Sequence, residues 1–186
     1  EAYYESVGRT WERAAFIKAR PAAGDLEAGR RFLQGLQPFV FRRHLDFAAI
    51  EDAHDMRLRI RAHKGLGERL AIPGHDVKLG LGGIREIEFF AQTQQLILGG
   101  RDRGLRDPTT RGALRALERA GVIDAGSRAA LDAAYVAHRA IEHRLQMIED
   151  AQTQTIPVSE EGRARVAAIG GWPDRAAMEA EVEARC

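Results

Sequence analysis

The sequence predicts an all-α fold. Apolar residues recur at helical spacing through almost all of the 186 residues, and period-two runs of β-branched residues, which indicate strands, are nearly absent. Turn-forming stretches rich in glycine and proline separate the periodic segments. Together these observations predict helices near 1–19, 25–36, 38–63, 83–98, 109–120, 127–150, 159–169 and 173–185.

The helix boundaries follow from residues that start or stop helices. The stretch ARPAAGD at 19–25 ends the first helix, and its aspartate, Asp25, is a typical N-cap for the second. The polar loop GGRDRGLRDPTT at 99–110 precedes the fifth helix. Ser159 is the expected N-cap of the seventh helix, and GGWPD at 170–174 breaks the chain before the last one.

We expect one helical domain spanning 1–186, with a tail helix at 173–185. The segment 64–82, KGLGERLAIPGHDVKLGLG, is long and irregular, so it is the candidate hinge. A short strand or hairpin at 75–79 is compatible with its sequence. No internal repeat and no low-complexity segment interrupts the chain.

Composition excludes several classes of protein. Hydrophobic residues make up 45% and charged residues 30% of the chain, which is ordinary for a globular protein and too apolar for disorder. The formal net charge is +1, so no overall field attracts nucleic acid. We therefore expect no nucleic-acid partner.

Cysteine usage and hydropathy indicate a cytoplasmic protein. The single cysteine, Cys186, excludes an internal disulfide and a cysteine-based zinc cluster. No apolar run approaches the roughly 18 to 20 residues of a membrane span, and no signal-peptide pattern opens the chain. Because the chain lacks an initiator methionine and ends within helix-like sequence, we interpret it as a fragment.

The stretch KLGLGGIREIEFF at 78–90 is a candidate anion site. A helix that begins at Gly83 leaves its first N–H groups unpaired at the positive end of the helix dipole. Glycine lets a phosphate approach the backbone closely, and Lys78 adds positive charge. A purely structural glycine-rich turn is the alternative. Because apolar residues lie on all sides of this helix, its charged first turn must meet partners or a ligand.

A basic stripe is predicted on the first helix. At 100° per residue, Arg9, Arg13 and Arg20 fall on one face with Phe16, while Trp11 and Lys18 share the opposite side. Guanidinium groups at this spacing suit phosphate or carboxylate oxygens. Solvated or paired arginines are the alternative.

The long helix near 127–150 supplies no catalytic motif of its own. Its apolar row includes Ile141, Leu145 and His138, and we interpret His138 as a packing residue whose polar atoms are satisfied. Glu142, His143 and Arg144 are consecutive and cannot share one face. The six histidines show no compact ligand pattern, so we expect no metal site and assign no catalytic residue.

Four blocks resemble, in order, the bifunctional glutamine synthetase adenylyltransferase/adenylyl-removing family. They are YYESVGRTWERAAFIKARPAAGD (3–25), PFVFRRHLDFAAIEDAHDMR (38–57), VKLGLGGIREIEFFAQTQQLILGGR (77–101) and AYVAHRAIEHRLQMIEDAQTQTIP (134–157). Gly80 and Arg85 fit the form KxGxGGIREIEF of the amino-terminal, adenylyl-removing half of that family. The related uridylyltransferase of the PII signal protein carries a similar glycine-rich block.

The resemblance implies a helical domain that follows a polymerase-β-like nucleotidyltransferase palm, the palm itself being largely absent here. The parent enzyme is then expected to remove AMP from a tyrosine of glutamine synthetase by phosphorolysis, giving ADP, and also to add AMP. It would use Mg²⁺ with ATP, ADP or phosphate. The metal-binding carboxylate motifs of the palm are not in this sequence, so the fragment alone is expected to be inactive and to bind none of these cofactors tightly.

The resemblance also assigns roles to charged residues and glycines. Those expected to bind phosphate or nucleotide are Lys78, Gly82, Gly83 and Arg85, with Lys18 and Arg20 as second choice. Those expected to dock the helical domain on the palm are Glu86, Glu88, Arg9 and Arg13. In the alternative, Arg85 and Glu88 both pair across that interface and bind no ligand. A regulatory module that binds the PII signal protein or glutamine synthetase is a third reading.

Overall fold

The computed structural model describes residues 3–4, 8–43, 51 and 70–186. Every element named within these residues is helical, and an isolated antiparallel bridge joins Asp76 to Thr155. The predicted all-α class is therefore confirmed. None of the helices in this part of the chain is long and apolar enough to cross a membrane.

The helices are numbered here in chain order. They are α1 (Thr10–Ile17), α2 (Leu26–Gly35), α3 (Gln37–Val40), α4 (Ile84–Leu98), α5 (Thr110–Arg119), α6 (Ala125–Glu149), α7 (Glu160–Gly170) and α8 (Arg175–Arg185), with a 3₁₀ turn at Arg103–Leu105. Helix α8 lies within the range 173–185 where the tail helix is expected.

The chain divides into two compact units. The first comprises Glu1–Leu58 and Phe89–Arg128, and the second comprises Arg59–Glu88 and Ala129–Cys186. The expectation of a single domain stays a prediction. Of the predicted hinge at 64–82, residues 64–69 lie outside the described part of the chain.

Two apolar clusters form the core of the first unit. Ile17, Phe39, Val40 and Phe41 are buried together, and the aromatic rings of Tyr4 and Phe16 pack against them. Leu105, Ala116 and Leu117 form the other cluster. The polar loop between α4 and α5 is held by Gln95, whose buried side-chain amide donates to the carbonyls of Leu105 and Asp107, both at 2.7 Å.

The second unit has a larger core. Ile141 and Leu145 of α6 are buried, and Met178 and Val182 of α8 are fully buried in the same cluster. Full burial of a side chain of this size stabilises the fold by roughly 1.5–3 kcal/mol relative to an exposed position. Helices α6 and α8 therefore contribute much of the stability of this unit.

The predicted helix at 38–63 is wrong at its start. Helix α3 covers Gln37–Val40, and Phe41, with φ −110° and ψ 80°, leaves the helical conformation. Phe39, Val40 and Phe41 are all buried, and three successive helical positions point in widely different directions. Ending the helix lets all three side chains reach the core. Residues 44–50 and 52–63 of this predicted helix lie outside the described residues.

The segment near 75–79 pairs with a distant strand-like segment. The main chain of Gly74 and Val77 donates to the carbonyls of Ile156 and Gln154, both at 3.0 Å, and Ile156 donates to His75 at 2.8 Å. The predicted N-caps are confirmed, since Asp25 accepts from the Ala28 amide and Ser159 from the Gly162 amide.

Candidate functional site

The glycine-rich loop before α4 is folded back on itself. A carboxylate oxygen of Asp76 accepts from the amides of Lys78 and Leu79 at 2.9 and 2.8 Å, and the Gly80 amide donates to the Asp76 carbonyl at 2.8 Å. Gly82 then turns the chain with φ +69°, a conformation that favours glycine. The loop therefore needs glycine for its own geometry.

The first amides of α4 are paired within the chain. The Gly82 amide donates to the Glu86 carboxylate at 3.0 Å. The amides of Gly83 and Ile84 donate to the carbonyls of Gly80 and Val77. The Arg85 amide donates to the main-chain carbonyl of Lys78 at 2.9 Å. Phosphate binding by Gly82 and Gly83 stays a prediction, and an anion would have to displace these acceptors.

Lys78 is held by a buried carboxylate on α6. Its Nζ lies 3.2 Å from Glu142 Oε1, and the two side chains are 31% and 2% exposed. Arg139, one turn before Glu142, places Nη1 2.7 Å from Glu142 Oε2. That oxygen has no partner in hydrogen-bond geometry among the described residues, so the contact with Arg139 is ionic. Two partly exposed cations thus share one buried carboxylate.

Arg85 pairs within its own helix. Its Nη1 lies 3.1 Å from Glu88 Oε2, and its side chain is 54% exposed. The other Glu88 oxygen is 3.5 Å from the hydroxyl of Tyr135 on α6, which is at the limit of a hydrogen bond. Arg85 and Glu88 therefore form an (i, i+3) pair with each other on α4, and their predicted pairing across a palm interface stays a prediction.

The remaining predicted residues lie in the first unit. Lys18 donates from Nζ to the Thr110 hydroxyl at 3.1 Å. Arg13 is buried and donates from Nε to the Val40 carbonyl at 3.2 Å. Arg9 precedes α1, and its main-chain N–H donates to Glu12 at 2.7 Å. Arg20 is exposed.

The predicted basic stripe on α1 is wrong in two respects. The helix ends at Ile17, so the helical extrapolation to Arg20 does not hold. Arg13 faces the core instead of solvent, because the carbonyl of Val40 at the end of α3 accepts its guanidinium. The docking roles of Arg9, Arg13, Glu86 and Glu88 stay predictions.

Buried histidines and a thiol lie close to the loop in the second unit. His138 is fully buried, and neither ring nitrogen has a hydrogen-bond partner in the described part of the chain. Burial lowers the pKa of His138. Burial also lowers the pKa of His75, and this effect outweighs the negative charge of Asp76, which raises that pKa. Cys186 Sγ lies 3.6 Å from His75 Nε2. Burial raises the pKa of the Cys186 thiol to about 11. The thiol is therefore protonated at neutral pH and is a poor nucleophile.

Sequence reasoning missed Tyr135, Arg139 and Glu142 as parts of this arrangement. Their signal was present in the spacing, because Tyr135, Arg139 and Glu142 recur at the three- and four-residue intervals that share a helix face. His138 is buried as predicted, but the predicted satisfaction of its polar atoms is not seen, because neither ring nitrogen has a hydrogen-bond partner among the described residues. Across 8–43 and 70–186, no group of three or more His, Cys, Asp or Glu residues is placed to hold a metal ion.

A separate cavity of about 220 Å³ lies in the first unit. Apolar side chains such as Phe16, Leu33 and Val40 line it, together with Arg106. The Arg106 guanidinium stacks 4.7 Å from the centre of the Phe41 ring and donates to Gly99 and Gln37. None of the predicted phosphate-binding residues lines this cavity.

Two models of known protein families match parts of the sequence. Residues 54–185 match the family model described as GlnD PII-uridylyltransferase, and the chain belongs to that family. Residues 1–35 match a second family model, described as glutamate-ammonia ligase adenylyltransferase. The second match includes the block GRTWERAAFIKARP at 8–21.

Curated relatives make the resemblance more specific. The chain is 56% identical to the bifunctional glutamine synthetase adenylyltransferase/adenylyl-removing enzyme of Rhizobium meliloti (strain 1021), over 95% of the chain and 18% of the relative. The enzyme of the same name from Agrobacterium fabrum is 54% identical over 97% of the chain and 18% of the relative. The one from Caulobacter vibrioides is 57% identical over 91% of the chain and 17% of the relative. The resemblance drawn from the sequence blocks is confirmed. The chain spans less than a fifth of the length of these relatives.

Proposed function

We propose that this chain is the helical part of a longer cytoplasmic nucleotidyltransferase that controls glutamine synthetase by removing AMP from a tyrosine. The observation that carries the proposal is 56% identity over 95% of the chain to a relative named for adenylyl transfer and adenylyl removal. The motif with Gly80 and Arg85 supports the adenylyl-removing half. The parent enzyme also adds AMP, using ATP.

The proposed reaction is phosphorolysis. An oxygen of inorganic phosphate attacks the phosphorus of the tyrosine-bound AMP, a P–O–P bond forms to give ADP, and the bond to the tyrosine oxygen breaks. The tyrosine oxygen leaves with the electron pair and takes up a proton. Mg²⁺ would neutralise phosphate charge in the parent enzyme, but no acidic cluster of the described residues fits such an ion.

In this proposal Lys78 and Arg85 stabilise phosphate-oxygen charge. Both side chains are partly exposed while their carboxylate partners, Glu142 and Glu88, are buried. Each cation is thus anchored on one side and open to solvent on the other. Lysine has three donors and arginine five, so both keep donors for a ligand. Gly82 and Gly83 are proposed to assist them through their amides, with Lys18 and Arg20 as second choice for this role.

A second function is a docking or regulatory module that binds the PII signal protein or glutamine synthetase. Two observations favour it. The first amides of α4 are already paired within the chain, and the matching family model is named for the PII protein. In that case Arg85 and Lys78 only hold the loop and helix together.

A chimeric enzyme separates the two functions. The segment of the Rhizobium meliloti relative that aligns with this chain is replaced by the chain itself, and release of ADP from adenylylated glutamine synthetase is measured with phosphate. We expect the chimera to be active. Removing one charge-assisted contact typically costs about 2–4 kcal/mol of transition-state stabilisation, so Arg85→Ala should lower deadenylylation by roughly 30- to 1000-fold.

The matched control is Arg165→Ala, which removes an exposed arginine paired with Glu161 and should change neither rate nor stability. If Arg85→Ala lowers the melting temperature but leaves turnover of the folded chimera intact, the docking function is favoured. An inactive chimera with normal folding would contradict the proposed activity itself.

A further inference from the structure

Glu142 is a buried charge that two segments of the second unit have to satisfy. Its side chain is 2% exposed, and cations reach it from the glycine-rich loop and from α6 itself. A buried carboxylate without partners is strongly unfavourable. Its two ion pairs therefore tie the position of Lys78 to that of Arg139.

The charge balance of this cluster leaves an excess cation. Lys78 and Arg139 carry two positive charges against the single carboxylate, and their side chains are 31% and 39% exposed. Each side chain contacts Glu142 on its buried side and keeps free donor capacity on its exposed side. An oxyanion is the ligand class that matches two partly exposed cations with net positive charge.

Lysine needs such an anchor more than arginine does. Its ammonium sits on a flexible four-carbon stem and acts as a point charge. A fixed carboxylate at 3.2 Å restricts that stem, so the ammonium is already in place when an anion arrives. Pre-ordering of this kind favours binding because less conformational freedom is lost.

We propose that Glu142 is a positioning residue that holds Lys78 and Arg139 as two arms of one inorganic phosphate site. The inference rests on the proposed phosphorolysis, and it assigns Arg139 to phosphate binding beside Lys78, with Glu142 as their anchor. Glu142 does not touch the substrate in this arrangement. It acts through the two cations.

The test uses the chimeric enzyme and the KM for phosphate. Glu142→Gln removes the charge and Glu142→Asp keeps the charge but shortens its reach by one methylene group. If positioning matters, each variant should raise the KM for phosphate by about tenfold, with a smaller change in kcat. Glu142→Asp covers the case in which Glu142→Gln does not fold.

A double-mutant comparison separates positioning from structural support. In a Lys78→Met, Arg139→Met background, Glu142→Gln should add no further rise in the KM for phosphate, because there is nothing left to position. The matched control, Glu179→Gln, breaks the pair with buried Arg163 in the same unit. It should lower the melting temperature and leave the KM for phosphate unchanged.

The outcomes are distinct. An unchanged KM for phosphate in Glu142→Asp, with a raised KM in Lys78→Met, would overturn the positioning role while leaving the proposed function intact. An unchanged KM in both Lys78→Met and Arg139→Met would show that neither cation binds phosphate. A folded wild-type chimera that releases no ADP would overturn the proposed function and this inference together.

Discussion

At the scale of single residues, Gly82 decides how the loop enters α4. Its φ of +69° lies in the left-handed region, and a Cβ there would come within 2.3 Å of the main chain of Cys186. Both constraints act inside the second unit. The glycine-rich sequence that predicts a phosphate cradle also satisfies this close packing of backbone against backbone.

Replacing Gly82 by alanine should therefore be costly. The left-handed conformation costs about 1–2 kcal/mol for a residue with a Cβ, and overpacking against main chain adds typically 1–3 kcal/mol. Urea denaturation followed by circular dichroism measures the loss. The control is Gly121→Ala, which has φ +70° but no neighbouring atom within 4 Å of the new Cβ. An equal loss in the two variants would show that the contact with Cys186 is unimportant.

At the scale of helices, capping residues could be predicted and burial-driven helix ends could not. Asp25 and Ser159 were identifiable because their side chains satisfy amides only three residues away. The end of α3 depends on where Phe39 and Phe41 find apolar neighbours, which local sequence does not encode. The ion pair between Lys78 and Glu142 joins residues 64 positions apart. The helical spacing of apolar residues could not predict it either.

The caps of two helices should differ in their effect on stability. Asp174 caps α8, which carries the buried residues Met178 and Val182, whereas Asp25 caps α2, which buries none. Loss of an N-cap side chain typically costs about 1 kcal/mol. Asp174→Ala should show this loss in urea denaturation, because fraying of α8 exposes core. Asp25→Ala should show a smaller one, and the reverse order would contradict the assignment of α8 to the core.

At the scale of the whole molecule, fold class and family were both recognisable from the sequence. The all-α class follows from periodicity, which the helices of residues 8–43 and 70–186 reproduce. The family follows from four blocks spread along the chain, and the identity of more than half of aligned positions to the relatives supports it. The contacts of Lys78 and Arg13 did not follow, because their partners Glu142 and Val40 lie far away in the sequence.

The isolated 186-residue chain should be helical and catalytically silent. Its circular dichroism spectrum should show the double minimum of α-helices. Incubation with adenylylated glutamine synthetase, phosphate and Mg²⁺ should release no ADP above a reaction without enzyme, because two-metal phosphoryl chemistry requires clustered carboxylates that the resemblance places in motifs outside this sequence. The chimera that carries the same residues is the positive control. ADP release by the isolated chain would mean that the reacting groups lie within these 186 residues. The buried carboxylates Glu88 and Glu142 would then need to be tested as catalytic residues.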